Sequence, residues 1–262
     1  MQLYHKRYDH VTLGADGPPL VILHGLLGAS GNWHTLSRSR FNEHFTVYAI
    51  DQRSHGRSPH DETFDYPTLA EDLLDFLDEH DIETCTLLGH SMGGKTAMFF
   101  ALEYPERVDQ LIVVDIAPKR YDPRHHRLFE ALLALDLATI RSRADADAAL
   151  QASVPDYGER QFLLKNLKSD GQGGYGWLMN LHGLWAAYPN INAAPDLGQT
   201  YDGPTLFIRG GQSTYIADDD MDLVTYLFPT AQLVTIPEAG HWVHAMAPQA
   251  FADAVIDFAV QV

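Results

Sequence analysis

The stretch Leu87-Leu88-Gly89-His90-Ser91-Met92-Gly93-Gly94 joins an apolar segment, typical of a buried strand, to a segment that favours a helix. A serine between two glycines at such a corner lies on a tight turn, and its hydroxyl projects above the sheet. This hydroxyl becomes a nucleophile only when a neighbouring base removes its proton. If Ser91 is a nucleophile, the same edge of the sheet must also supply a base and an acid.

Apolar runs alternate with helical segments on both sides of this corner. Continuous apolar runs are typical of strands buried on both faces, as in parallel sheets. Because strands and helices alternate, we expect right-handed crossovers and a mostly parallel sheet flanked by helices, an α/β class. With an opening hairpin the pattern predicts eight strands, at Leu3–Tyr8, Val11–Leu13, Pro19–Leu23, Phe45–Ile50, Cys85–Leu88, Gln110–Asp115, Pro204–Arg209 and Gln232–Ile236.

The alternation stops after the sixth of these strands and resumes near residue 202. Helical patterns cover Phe129–Leu137, Ala144–Gln151 and Glu159–Leu167, and no run is long enough to join the sheet. We therefore predict a helical cap at 117–201, inserted after the sixth strand. Residues 1–116 and 202–262 are predicted to form the α/β core.

His241 is the histidine that the predicted sheet places near Ser91. It follows the last strand, as Ser91 follows its own strand, and the carboxyl ends of parallel strands meet at one edge. A histidine is suited to removing the serine proton, because its pKa lies near neutral pH. The alternative is that His241 only packs beside Trp242.

Composition restricts the classes of protein that this chain can belong to. A formal net charge of −17 argues against nucleic acids and anionic membrane surfaces as partners. No apolar run approaches the ~20 residues that cross a membrane. The single cysteine, Cys85, and the lack of a signal-peptide pattern favour the cytoplasm. His125-His126 lacks partners at metal-ligand spacing, and no dinucleotide or phosphate-loop motif is present, so we expect neither metal nor cofactor.

Four segments resemble those of the α/β-hydrolase-fold enzymes, in the same order and spacing. They are His24-Gly25-Leu26-Leu27-Gly28, the loop Asp51–Pro59, Gly89–Gly93 and Gly240-His241. Gly-His-Ser-Met-Gly-Gly-Lys and Asp115–Tyr121 are most similar to the YbfF-type esterase branch. The resemblance implies an α/β-hydrolase fold and a serine hydrolase with a catalytic triad.

The acid of this triad has two candidate positions. In the commonest family pattern an aspartate follows the strand before the last, but here that strand is followed by Gly210-Gly211-Gln212-Ser213. Asp115 ends the strand beside the nucleophile strand, and the YbfF-like branch takes its acid there. Asp218 or Asp219 is the alternative, with Asp115 then anchoring the start of the cap.

The oxyanion of the tetrahedral intermediate needs preorganised N–H donors. The residue after the nucleophile supplies one, so the Met92 amide is predicted to donate. The residue after His24-Gly25 supplies the other, which is Leu26, with Leu27 as the alternative.

We expect a small-molecule ester as substrate, cleaved at a carboxylic ester of short to medium acyl chain, with thioesters as a further candidate class. The alternatives are a C–C bond hydrolase or perhydrolase of the same fold, or a weakly catalytic ligand-binding protein. The chain is expected to act as a monomer or homodimer. Residues predicted either to line the substrate pocket or to form the core of the cap are Leu27, Tyr121, Trp177, Trp185 and Tyr188.

Overall fold

A central sheet of seven strands carries the structure, a computed structural model that describes residues 1–171, 173–195 and 198–260. The strands are β1 (His5–Tyr8), β2 (Pro19–Leu23), β3 (Thr46–Ile50), β4 (Cys85–His90), β5 (Val108–Val114), β8 (Thr205–Gly210) and β9 (Ala231–Ile236). Their order in the sheet is β1-β3-β2-β4-β5-β8-β9, and every neighbouring pair except β1–β3 is parallel. The carboxyl ends of the six parallel strands therefore share one edge.

The α/β class and the mostly parallel sheet are confirmed, but the predicted number of eight strands is wrong. Val11–Leu13 forms no strand. The chain turns there through a single bridge between His10 and Gly14, and Val11 and Leu13 are exposed to water. Because this short apolar segment packs against no other part of the protein, burial does not stabilise it as a further strand of the sheet. Consequently the cap follows the fifth strand, not the sixth.

Two layers of helices cover the sheet. On one face α2 (Tyr66–Glu79), α3 (Met92–Glu103) and α9 (Met221–Leu227) contribute to one buried apolar cluster. On the other face α1 (His34–Ser39), α10 (Val243–Met246) and α11 (Pro248–Val260) contribute to a second cluster. The single cysteine, Cys85, is buried in the first cluster at the start of β4. The sheet is thus buried on both faces, as its continuous apolar strands require.

Short helices and one small hairpin connect β5 to β8. Their side chains form a third apolar cluster, which also reaches Leu27 and Met92 at the edge of the sheet. The hairpin pairs β6 (Leu167–Ser169) with β7 (Tyr175–Trp177) and does not join the main sheet. The helices are α4 (His126–Leu133), α5 (Arg143–Leu150), α6 (Tyr157–Leu164), α7 (Leu181–Ala186) and α8 (Tyr188–Ile191).

Candidate active site

Ser91 lies on the strained turn that its sequence motif predicts. Its backbone has φ 53° and ψ −116°, between the last residue of β4 and the first of α3. Gly89 and Gly93 must be glycines, because a Cβ atom at either position would overlap with nearby backbone atoms. A Cβ on Gly89 would lie 2.2 Å from the Gly93 carbonyl oxygen, and a Cβ on Gly93 would lie 2.5 Å from the Leu23 carbonyl oxygen. The turn therefore tolerates no side chain at either position, and this close packing holds the serine in place.

His241 lies against Ser91, after β9. Its Nε2 is 3.0 Å from Ser91 Oγ, and its Nδ1 is 2.7 Å from Asp115 Oδ2. Because the carboxylate accepts the Nδ1 proton, Nε2 is left as the acceptor for the serine hydroxyl. His90 helps to hold His241 in position, because its Nε2 donates to the His241 carbonyl oxygen at 2.8 Å.

Asp115 occupies the residue after β5, in a left-handed backbone conformation with φ 50°. It is 0% exposed, and its Oδ1 accepts the Gly210 amide at 3.0 Å. Its Oδ2 accepts the Ser213 hydroxyl as well as the His241 imidazole. Donors thus contact both oxygens, so the buried carboxyl group has no unpaired acceptor.

The alternative acids lie elsewhere. The Asp218 side chain is 88% exposed and pairs with Arg209 Nη1 at 2.6 Å. Asp219 is also exposed. The structure therefore brings Asp115, and neither alternative, into contact with His241.

Two residues at this site escaped the sequence-based prediction. Ser213, which follows β8, donates its hydroxyl to Asp115. The Tyr215 ring stacks on the His241 imidazole, with centroids 3.9 Å apart and planes 17° from parallel. Their position after a parallel strand is the signal in the sequence, since that is where side chains reach the carboxyl edge of the sheet.

The predicted oxyanion donors lie on either side of Ser91. Met92 is the first residue of α3, so its N–H has no partner within the helix. In the turn after β2, the Leu27 amide donates to His55 Nε2 at 3.2 Å and the Gly28 amide to the Gly25 carbonyl at 2.9 Å. The Leu27 and Gly28 amides are therefore already used, and the Leu26 amide is the one of these three that can donate to an oxyanion. This disfavours Leu27 as the second oxyanion donor.

His24 and His55 brace this turn as neutral bases. His24 Nε2 accepts the Gln52 amide at 3.0 Å, and burial lowers the pKa of His24 to about 4. Burial, reinforced by nearby His24, lowers the pKa of His55 to about 3. Both rings remain uncharged at neutral pH and can accept the amide protons that shape the loop.

Two cavities adjoin Ser91. The first is lined by charged and aromatic side chains, among them Tyr66, Lys95, Tyr121, Asp122, Arg124 and Tyr215. The second has mainly apolar walls, with Leu27, Leu128, Phe162, Leu163, His241 and Trp242 among its lining residues. Leu26 and His125 border both cavities.

The predicted pocket residues are divided among these spaces. Tyr121 lines the first cavity and Leu27 the second. Trp185 and Tyr188 line a separate cavity that Tyr121 also borders, and both pack within the apolar cluster of the cap. Trp177 packs against the same cluster from β7.

Ser91, His241 and Asp115 are joined by hydrogen bonds at the carboxyl edge of the sheet. Residues 18–248 match the sequence model of the family described as alpha/beta hydrolase fold. The chain belongs to the α/β-hydrolase fold family. No helix within the described residues is long and apolar enough to cross a membrane. Those residues also contain no cluster of three or more potential metal ligands of the His, Cys, Asp or Glu type.

Relatives in this family carry esterase and lipase names. The chain is 38% identical to esterase YbfF of Escherichia coli over 92% of each chain. It is 39% identical to the sn-1-specific diacylglycerol lipase ABHD11 of Danio rerio, over 96% of this chain and 81% of the relative. A solved structure of a marine microorganism esterase superposes with a TM-score of 0.93 at 38% identity, covering 98% of this chain and 99% of the other. The prediction of an ester-hydrolysing, carboxylesterase-type α/β hydrolase is confirmed.

Proposed function

We propose that the protein is a serine esterase that cleaves carboxylic esters of short to medium acyl chain through an acyl-enzyme intermediate. Ser91 is the nucleophile, His241 the general base and Asp115 the acid that orients it. The single observation that carries this proposal is the hydrogen-bonded chain from Ser91 Oγ through both nitrogens of His241 to the buried carboxylate of Asp115.

The first half of the reaction forms the acyl-enzyme. Ser91 Oγ attacks the ester carbonyl while His241 Nε2 takes its proton. Negative charge develops on the carbonyl oxygen, which the amides of Leu26 and Met92 stabilise by hydrogen bonds. The bond between the carbonyl carbon and the leaving oxygen then breaks, and the proton on His241 passes to the departing alcohol.

The second half releases the acid. A water molecule gives a proton to His241 Nε2 and attacks the acyl carbonyl, and the same two amides stabilise the second tetrahedral intermediate. Its collapse breaks the bond to Ser91 Oγ, which takes the proton back from His241. Asp115 remains a carboxylate throughout and stabilises the imidazolium.

The surroundings of Ser91 support a small ester as substrate. Two separate cavities adjoin the serine, so the acyl and alcohol parts of one ester can lie on different sides of the attacked carbonyl. Thioesters of similar size satisfy the same geometry, because the carbonyl is attacked in the same way.

A series of p-nitrophenyl esters from acetate to octanoate tests this function, with Ser91→Ala as the control. We expect turnover by the wild type and labelling by a fluorophosphonate probe, and neither in the variant. Wild-type protein that hydrolyses no ester and leaves the probe unbound contradicts the proposal and favours a ligand-binding protein. Parallel assays with β-diketones and with hydrogen peroxide as acyl acceptor identify the C–C hydrolase and perhydrolase alternatives.

The proposed domain organisation keeps residues 1–116 and 202–262 as the core and 117–201 as the cap. The separate apolar cluster formed by helices α4–α8 supports this division. The cytoplasm is the proposed location, supported by one buried, unpaired cysteine. We propose a monomer or homodimer, which size-exclusion chromatography with light scattering distinguishes.

A further inference from the structure

The first cavity has an unusual charge for this protein. The chain carries 18 basic against 35 acidic residues, yet the segment 119–127 at the cavity mouth contains four basic residues and one acidic residue. Lys119 is paired with Asp220 at 2.6 Å. Within the described residues, Arg120, Arg124 and Arg127 form no ion pair. A strongly acidic protein thus presents a local patch of positive charge beside its nucleophile.

Lys95 extends this charge to the inside of the cavity. It lies one helical turn after Ser91 and is 2% exposed, yet no carboxylate pairs with it in the described part of the chain. Its Nζ donates to the carbonyl oxygens of Asn192 and Ala193 and lies 4.8 Å from the Tyr121 ring centroid. An ammonium has three donors, so one N–H remains for a ligand in the cavity that Lys95 lines.

A buried cation without an acid is costly to the free protein. Burial, reinforced by Arg120, lowers the pKa of Lys95 to about 7. A bound carboxylate would restore the missing partner and form a charge-assisted hydrogen bond. Arg124, which also lines the cavity, is free of ion pairs among the described residues and packs over the Tyr215 ring at 5.2 Å.

The position of His241 decides which half of the ester enters the first cavity. The leaving alcohol must receive its proton from His241, which borders the apolar second cavity. The alcohol therefore occupies the second cavity, and the acyl chain extends into the first. Asp122 is the opposing charge there, and it is exposed to water at the cavity mouth.

We propose that the first cavity is a carboxylate-binding acyl subsite, in which Lys95 and Arg124 bind a carboxylate at the far end of the acyl chain. This proposal rests on the esterase function and names its substrate class, esters of dicarboxylic acids that retain one free carboxylate. Lys95 and Arg124 determine specificity and take no part in bond breaking.

The test compares two p-nitrophenyl esters of matched shape, the hemiadipate and the neutral 6-methylheptanoate, in which two methyl groups replace the carboxylate oxygens. We expect wild-type kcat/KM to favour the hemiadipate. Lys95→Met should lower this preference about 10-fold or more, since a charge-assisted hydrogen bond is lost. Arg124→Gln, at a more exposed site, should lower it about 3-fold. Asp122→Asn should raise it.

Arg127→Gln is the matched control, because Arg127 is an exposed cation of the same segment that does not line the cavity. It should leave the preference unchanged. If the wild type has equal kcat/KM for the two esters and Arg124→Gln does not change that ratio, the subsite is overturned. The esterase function would be unaffected by that result. Turnover of neither ester overturns the subsite, and the additional absence of p-nitrophenyl acetate turnover overturns the esterase function. Stronger inhibition by inorganic phosphate than by adipate at equal ionic strength overturns the assignment to a carboxylate.

Discussion

The carboxyl edge of the sheet and the cap are held together in different ways. At the edge, Ser91 and Asp115 lie on strained backbone at the ends of adjacent strands and are fixed by close packing and hydrogen bonds. The cap is assembled from helices of four to eight residues around its own apolar cluster. The difference teaches that strand ends fix the positions of single side chains, whereas the shape of the cap depends on packing among short helices.

A second difference lies within the edge itself. Asp115 is buried among donors, while Asp218, which follows the neighbouring strand, is exposed on the surface. The usual family position for the acid is filled by a serine that donates to Asp115 instead. Asp115, and not Asp218, therefore has the hydrogen-bond partners that the acid of a triad requires.

Exchange of the acid should produce the largest effect. Asp115→Asn keeps the shape but presents an amide to His241 Nδ1, which favours the wrong tautomer, and kcat for p-nitrophenyl butyrate should fall about 10⁴-fold. Asp218→Asn is the control and should retain wild-type turnover. The opposite result, with Asp218→Asn inactive, would place the acid on the neighbouring loop.

Truncation in the cap core tests whether the two regions are separable. Phe129 is fully buried between Trp185 and Tyr188, so Phe129→Ala should reduce the free energy of unfolding by about 3–5 kcal/mol. We expect altered preference among acyl lengths, while the fluorophosphonate probe still labels Ser91. Urea denaturation and labelling provide the two measurements.

Phe251→Ala is its matched control, at an equally buried phenylalanine of the core. It should cost similar stability and leave the acyl-length preference unchanged. If Phe129→Ala abolishes labelling in protein that is still folded, the cap is part of the chemistry and the distinction between the regions fails.

His244 should make the edge sensitive to acid. It is stacked on Trp33, and burial lowers its pKa to about 3. Since the unfolded chain takes up this proton near pH 6.5, stability falls as the pH drops below that value, by about 2 kcal/mol at pH 5 from this residue. His244→Phe should therefore lose about 2 kcal/mol less than the wild type between pH 7 and pH 5.

Urea unfolding at the two pH values measures this difference. His182→Phe makes the same change at an exposed histidine of the cap and should show the wild-type loss. If His244→Phe loses as much unfolding free energy as the wild type between pH 7 and pH 5, other groups cause the acid sensitivity.

Removal of the Ser213 hydroxyl should have the smallest effect. Ser213→Ala deletes one of three donors to Asp115, and the other two remain, so kcat should fall about 10-fold. Gln212→Ala, an exposed neighbour, should leave kcat unchanged. If kcat falls as far in Ser213→Ala as in Asp115→Asn, the Ser213 hydroxyl is as important for turnover as the Asp115 carboxylate.

The sequence was most informative where local chemistry dictates local structure. Ser91 and His241 could be placed because glycines and strand ends leave few conformations, and parallel strands bring their carboxyl ends together. Asp115 could be placed only as the better of two positions. Its hydrogen bonds depend on how the loop after β8 folds back, which no local pattern encodes.

The cap was harder to predict for a physical reason. Isolated helices of its length are unstable in water, so tertiary packing sets their ends. The predicted helix Phe129–Leu137 is His126–Leu133 in the structure, and the hairpin of β6 and β7 was not predicted. Lys95 was missed as well, because a lysine on an apolar helix carries no signal of its burial.

The burial of Cys85 makes the protein convenient to label. Its thiol is enclosed within the sheet, and burial raises its pKa, so alkylating reagents have neither access nor thiolate. A cysteine introduced at an exposed position, such as Tyr157→Cys at the start of α6, would then be the one thiol that a maleimide dye reaches. Fluorescence from that site would follow the cap during turnover without prior removal of the natural cysteine.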